Sequence, residues 1–461
     1  MHTGPKAELW ALSAAELASA YREGTVTPAD ALAAILARIE RVNPSVNAVV
    51  TLDQEGAAKQ ARASTERFRN GAPLGPLDGI PLTVKDNILV AGLRATWGSR
   101  LYAEYVPEAD EPPIDRLRAG GAIILGKTNV PEFTLQGYTD NALFGPTRNP
   151  YDLALTPGGS SGGAVAAVAT GMGPIAIGTD GGGSIRRPAA HTGLVGFKPS
   201  RGMVPRGKGF PAILHDLEVI GPIARNVGDI LLAMDVIGGP DWRPRAPDAR
   251  AARILYIPTF SGAPVDPVIA AAVAEAAVSL AQRGHSVETT HDFDLAAPIA
   301  DIWPVISQTG AAWLMSLHGD RDDMIGPALA EMARNGRSYS AREYLAALDT
   351  IKAVARDFDS LFQRFDYLLT PAAAAMPWPA TEVYPPTIDG QRVGPRGHAI
   401  FTPFVNALGL PALSMPAGQS ADGLPIGLQL VAARGRDAEL LAFTRASERS
   451  IARGGLAPDV A

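Results

Sequence analysis

The chain has 461 residues and no cysteine; 46% of it is hydrophobic, 19% is charged, and the formal net charge is −6. This composition supports a large buried core and excludes a disordered chain, disulfides, thiolate metal sites and every cysteine nucleophile. The 41 basic and 47 acidic residues form no long block of one sign, so neither nucleic acid nor another anionic polymer is an expected partner. Lys6, Glu8 and Glu16 interrupt what would have to be the apolar core of a signal peptide, and a cytoplasmic protein is the expectation. The longest uncharged run, Leu153 to Thr179, is broken by Pro157, Pro174 and many glycines, so it reads as buried loop and helix rather than as a membrane span.

In chain order, Leu9, Leu12, Leu17 and Tyr21 fall near helical spacing. Pro28 to Ile39 repeats the pattern after Thr27, an N-cap residue with proline at the first helical position. A third helix is expected around Glu55 to Phe68, with no strand before it. From Leu77 the pattern changes. Ile80 to Val84 and Ala122 to Gly126 read as short apolar strands, with a helical stretch from Ile114 to Ala119 between them. Ser161 to Ala169 is a small-residue helix, Pro174 to Gly178 a strand and Asp229 to Ile237 a helix. Pro240 to Pro247 reads as a surface connection. A strand at Arg253 to Pro258, a helix at Val268 to Arg283 and a helix-rich region to about Phe362 follow. Strands at Tyr367 to Pro371, Ala412 to Pro416 and Ile426 to Val431 return to the core. Strands alternating with helices predict an α/β fold. One domain is expected, with N-terminal helices over 1–70, a core over 71–240, a variable helix-rich region over 241–365 and a return to the core over 366–461.

Two glycine- and serine-rich segments sit between apolar core segments. They are Thr156 to Gly163, containing Ser160 and Ser161, and Gly178 to Pro188, containing Ser184. Glycines in such number let backbone amides converge, as an anion or a developing oxyanion requires, and a helix starting just after either serine adds its N-terminal dipole. A nucleophilic serine needs a base. His191 lies near these loops without a marked carboxylate partner; Lys85, at the end of an apolar strand, is the other candidate and would have to be desolvated to act. The stretch Gly121 to Thr128 fits the G-x-x-x-x-G-K-T phosphate-loop expression, but its variable positions are themselves the strand-like run Ala122 to Leu125, which speaks against a nucleotide site.

Gly79-Ile80-Pro81-Leu82-Thr83-Val84-Lys85-Asp86-Asn87, Gly159-Ser160-Ser161-Gly162-Gly163 and Gly178 to Pro188 together resemble the amidase signature family, in order and with that family's spacing. Gly126 to Phe133, Phe144 to Pro150, Gly221 to Arg225, Asn406 to Ala412 and Gly423 to Gln429 extend the resemblance to nearly the whole chain, most weakly between about Trp242 and Asp366. It implies a large mixed β-sheet covered by helices on both faces, with a helical insertion. It also implies a Ser–Ser–Lys triad in which Ser184 is the nucleophile, Lys85 the base and Ser160, held by a cis peptide bond, the bridge. The amides of Gly181, Gly182, Gly183 and Ser184 match the oxyanion hole. That chemistry requires no metal and no organic cofactor.

By motif alignment Thr134, Leu135 and Gln136 approach the acyl side of the substrate pocket. Trp303 to Leu317 and Met376-Pro377-Trp378 are candidates for apolar walls around an uncharged substrate. Asp180 and Arg186, flanking the nucleophile, read as a structural ion pair. The expected function is a stand-alone hydrolase cleaving the C–N bond of small non-peptide aryl or alkyl amides through an acyl-enzyme. Carbamates or esters are alternative substrates, and the amidase component of a tRNA-dependent amidotransferase is an alternative role. Against that role, no clear pair of glutamine-holding residues follows Arg225; Asp437 is a weak candidate. A catalytically dead relative would be expected to have lost a triad residue, and all three are present. The oligomeric state is left open.

Overall fold

The computed structural model describes residues 6–246, 248, 250–319, 321–451 and 455–460; Pro247, at the end of the expected surface connection, lies outside them. Thirteen strands occur among the described residues: β1 Val49–Leu52, β2 Pro81–Lys85, β3 Ile123–Thr128, β4 Ile175–Asp180, β5 Val195–Lys198, β6 Val219–Ala224, β7 Arg253–Tyr256, β8 Ser286–Thr289, β9 Tyr367–Pro371, β10 Thr387–Ile388, β11 Gln391–Arg392, β12 Ala412–Gln419 and β13 Pro425–Ala432. Eleven of them form one sheet in the order β1-β3-β2-β4-β6-β5-β12-β13-β9-β7-β8, and β10 and β11 pair as a separate hairpin. The sheet is mixed: β3, β2 and β4 run parallel, as do β9, β7 and β8, while the strands between them are antiparallel. Parallel β2 and β4 bring their carboxyl ends to the same edge, the place where open α/β sheets hold ligands.

Alternation along the strands sends apolar side chains to both faces. Ile175, Ile177, Leu428 and Leu430 pack in one core with residues of the helices Ala14–Glu23, Val227–Ile237, Pro267–Gln282 and Asp437–Ile451. On the opposite side Ala176 packs with the helix Gly162–Ala169, and Leu255, Leu368 and Val431 pack with Ala297–Ser316 and Ala341–Arg364. The region 241–365 therefore adds β7 and β8 to the sheet as well as helices.

Several elements depart from the sequence expectations. The second helix runs Pro28–Val46, held at its start by the reciprocal Thr27–Asp30 capping box. A strand does precede the third helix: β1 is a four-residue edge strand, too short to show a period, paired antiparallel with β3. The sequence reading contains neither β5 nor β6. β6 carries Gly221 and Pro222 at its centre, a combination that argues against an interior strand. Gly221 is there because a Cβ at that position would lie 2.1 Å from Phe197 O. β4 extends to Asp180, so Thr179 and Asp180 are strand residues rather than loop. Gly121 to Thr128, by contrast, is strand as expected and forms no phosphate loop: β3 occupies most of it, and buried Lys127 donates to Ile88 O. Among the described residues no helix is long and apolar enough to cross a membrane.

Candidate active site

Lys85 is the last residue of β2 and is fully buried. Its Nζ donates to Ser160 Oγ at 2.8 Å and lies 2.9 Å from Thr179 Oγ1 and 3.1 Å from Thr179 O. Desolvation pulls the ammonium down, the carboxylates of Glu218 and Asp180 pull it back up, and the net position is about 7. Lys85 is thus poised to exchange a proton near neutrality. Asn87 Nδ2 donates to Thr179 Oγ1 at 3.1 Å and reaches Glu218 Oε1 at 3.4 Å, which links the lysine to a half-buried carboxylate through one hydroxyl and one amide.

Ser160 follows a cis Gly159–Ser160 peptide bond. Gly159 has no room for a side chain, because a Cβ there would lie 2.3 Å from Tyr138 O. The neighbouring Ser161 points elsewhere: its hydroxyl donates to Thr179 O at 3.2 Å and its amide to Ser184 O at 3.1 Å. This ties the serine loop to both β4 and the residue after the glycines. The hydrogen bonds among the described residues include the Lys85–Ser160 contact but none between the hydroxyls of Ser160 and Ser184. Side-chain bonds of this kind are often long in a ligand-free site and tighten on binding.

The loop bearing Ser184 is held from below by a buried ion pair. Arg186 Nη2 stands 2.8 Å from Asp180 Oδ1 and Nε 3.0 Å from Oδ2, with both side chains wholly inaccessible. Desolvation pushes the Asp180 carboxyl up, but the Arg186 charge and hydrogen bonds outweigh it and hold the group well below the usual carboxylate range. Arg186 also donates to Gln429 Oε1 at 2.5 Å and Asn406 Oδ1 at 2.6 Å, and Asn406 Nδ2 donates to Asp180 O at 2.7 Å. Asn406 and Gln429 belong to the two distant motifs near the end of the chain, and their place here gives those motifs a physical role.

The Asp180 carboxylate also takes the amides of Gly183 at 2.7 Å and Ile185 at 3.1 Å. This corrects one expectation: the Gly183 N–H is turned into the protein and is not free to hold an oxyanion. Gly183 has φ +111, and a Cβ there would meet Thr402 Oγ1 at 2.3 Å, so only glycine fits the turn.

Gly181, Gly182 and Ser184 line a cavity of about 700 Å³, together with Thr134, Leu135, Gln136, Trp303, Pro304, Ser307, Gln308, Met332, Arg396 and His398. That volume suits a small organic substrate. Trp378 does not line it; the ring packs behind the wall, 4.8 Å from the His398 ring and 5.8 Å from that of His191. His191 Nε2 lies 3.1 Å from Ala375 O, and burial lowers the ring to about 4, so it stays neutral with no carboxylate beside it. Asp437 also lies off the cavity, where its carboxylate accepts from the amide of Ser200 at 2.7 Å and from its hydroxyl. A larger cavity of about 880 Å³, lined by Asn87, Trp97, Phe210 and Glu218, shares Leu214 with the first but is not lined by Ser184. Among the described residues no group of three or more His, Asp or Glu side chains is arranged to hold a metal ion. Thr179, Asn87, Arg187 and Arg396 are site residues that sequence reasoning missed. Thr179, Asn87 and Arg187 carried a signal, since they stand inside the motifs quoted for Lys85 and Ser184; Arg396 carried none.

The family model described as Amidase matches residues 30–441. A glutamyl-tRNA(Gln) amidotransferase subunit of Moorella thermoacetica is 35% identical, over 96% of this chain and 97% of its own. An acylamidase of Rhodococcus erythropolis is 34% identical over 93% of each chain. The crystal structure of a bacterial aryl acylamidase of the amidase signature family superposes with a TM-score of 0.87 at 31% identity, covering 95% of this chain and 96% of that one. The chain belongs to the amidase signature family and is an amidase-type enzyme acting on carbon–nitrogen bonds.

Proposed function

We propose that the protein is a stand-alone hydrolase that cleaves small non-peptide aryl or alkyl amides through an acyl-enzyme on Ser184. The observation that carries this reading is the fully buried Lys85, its Nζ 2.8 Å from Ser160 Oγ and its ammonium lowered to about 7. Neutral Lys85 takes the proton of Ser160 as Ser160 takes that of Ser184, and Ser184 Oγ attacks the amide carbonyl carbon. The negative charge on the carbonyl oxygen is met by the amides of Gly181, Gly182 and Ser184. Ser160 then returns the proton to the leaving nitrogen, the C–N bond breaks, and water attacks the acyl-enzyme by the same relay.

The identity to the Moorella amidotransferase protein supports a second reading, in which the same site releases ammonia for a partner protein. Asp437, the residue weighed for holding glutamine, is engaged by Ser200 away from the cavity, and this favours the stand-alone reading. The test is a panel of 4-nitroanilides, free amides, carbamates and esters assayed on the purified chain alone. Turnover of anilides or free amides supports the proposal, and faster turnover of carbamates or esters would reassign the substrate. Activity that appears only with a second, copurifying protein would favour the amidotransferase role.

A further inference from the structure

Three arginines surround the nucleophile loop, and they are not held alike. Arg186 is neutralised by Asp180. Arg187 donates to His398 Nε2 at 2.7 Å and reaches Gly183 O at 3.4 Å and Gly159 O at 3.5 Å, with no carboxylate among its partners. A guanidinium can only donate, so His398 accepts through Nε2; burial and the nearby Arg187 and Arg396 hold its ring well below the usual histidine range and it stays neutral.

Arg396 lines the same cavity. Its Cζ stands 5.1 Å from the centre of the Trp303 ring, and a Cβ on Gly182 would lie 3.5 Å from its Nη2. Among the described residues it makes no side-chain hydrogen bond and no ion pair. Arg396 is an exposed residue that lines the cavity; partial desolvation by the surrounding protein lowers its guanidinium, which stays cationic at neutral pH. Glu331, which is exposed, is the only carboxylate among the described residues lining the cavity. The reactive end of the cavity thus carries two guanidinium groups, buried Arg187 and exposed Arg396, with no carboxylate partner among the described residues, and the Arg396 head is open to an anion that enters the cavity. The Trp303 contact restrains the Arg396 head, and a planar guanidinium fork matches a carboxylate with two parallel hydrogen bonds.

We infer that Arg396, backed by Arg187, recognises a carboxylate on the substrate, so that the preferred amides are anionic, with the charge a few bonds from the scissile carbonyl. This rests on the hydrolase reading above and narrows its substrate class; it also replaces the expectation of an uncharged substrate.

The test uses two matched pairs of anilides: succinyl 4-nitroanilide against 4-methylpentanoyl 4-nitroanilide for a charge on the acyl side, and N-acetyl-4-aminobenzoate against N-acetyl-4-isopropylaniline for a charge on the amine side. The wild type is expected to favour the carboxylate member of at least one pair in kcat/KM by about tenfold or more, with the gain in KM. Arg396→Gln should collapse that ratio, and Arg396→Lys should restore part of it. Preference for the neutral member in both pairs overturns the inference. So does an equal loss on both members in Arg396→Gln, which marks a structural or oxyanion role instead. Calorimetric binding of the same carboxylates to the Ser184→Ala protein, with and without Arg396→Gln, separates the two layers. Arg396-dependent binding without wild-type turnover overturns the hydrolase reading and keeps the carboxylate site, whereas binding indifferent to Arg396 overturns the site whatever the turnover.

Discussion

Arg186 lies beneath the loop that carries Ser184, and Arg396 lines the cavity onto which Ser184 opens. Arg186 is wholly buried and spends its guanidinium on Asp180, Asn406, Gln429 and Thr402 O. Arg396 has a tryptophan face for company and, among the described residues, no anion. The first arrangement fixes the loop that carries Ser184, because each polar group there is answered by another drawn from a different part of the chain. The second leaves a charge available to something that is not protein. Catalytic geometry and substrate choice are therefore built by different means in this molecule, the one by saturating hydrogen bonds and the other by withholding them.

The largest expected effect is on the catalytic side of this division. Ser184→Ala should lower kcat by about 10³-fold or more while leaving the thermal midpoint nearly unchanged. A Ser184→Ala protein that kept most of its anilide hydrolysis would dissolve the assignment. Lys85→Ala should lose activity to a similar order at neutral pH. In the wild type, kcat/KM should rise with pH through an apparent pKa near 7, since Lys85 must be neutral to accept a proton. A profile that is flat from pH 5 to 9 would contradict this.

Next in size is a stability effect that the two arginines should not share. Asp180→Asn orphans Arg186 in the interior and should cost about 3–5 kcal/mol in denaturant unfolding. Arg396→Gln orphans nothing and should change stability by less than about 0.5 kcal/mol. Equal losses would show that the two arginines are held alike. The smallest effect concerns Glu218, whose carboxylate is the strongest influence raising Lys85. Glu218→Gln should move the acid limb of the rate profile to lower pH, and a shift to higher pH would show that Glu218 acts otherwise than by its charge.

Much of this is legible in the sequence. The runs Ile80 to Val84 and Tyr367 to Pro371 and the helix after Ser161 are long enough, and apolar enough, to announce themselves. What stayed hidden was of two physical kinds. β1, β5 and β8 have four residues each, and β6 has Gly221 and Pro222 at its centre, so pairing with neighbours rather than local preference makes them strands. In the site, composition could place amide-rich backbone near Ser184 but not say which way each amide turns. The Gly183 N–H goes to Asp180 because that carboxylate, three residues back at the end of β4, is within reach of it. Arg396 sits in Val393-Gly394-Pro395-Arg396-Gly397, a segment with no pattern of its own, and reaches the site only because the chain returns to it.

The central claim, that Ser184 is the acylated residue and Lys85 with Ser160 activates it, is most directly tested by peptide mass spectrometry after treatment with a sulfonyl fluoride. One adduct is expected, on Ser184, absent from Ser184→Ala and formed far more slowly in Lys85→Ala. An adduct on Ser160 or Ser161, or labelling of Ser184 at an undiminished rate without Lys85, would contradict it.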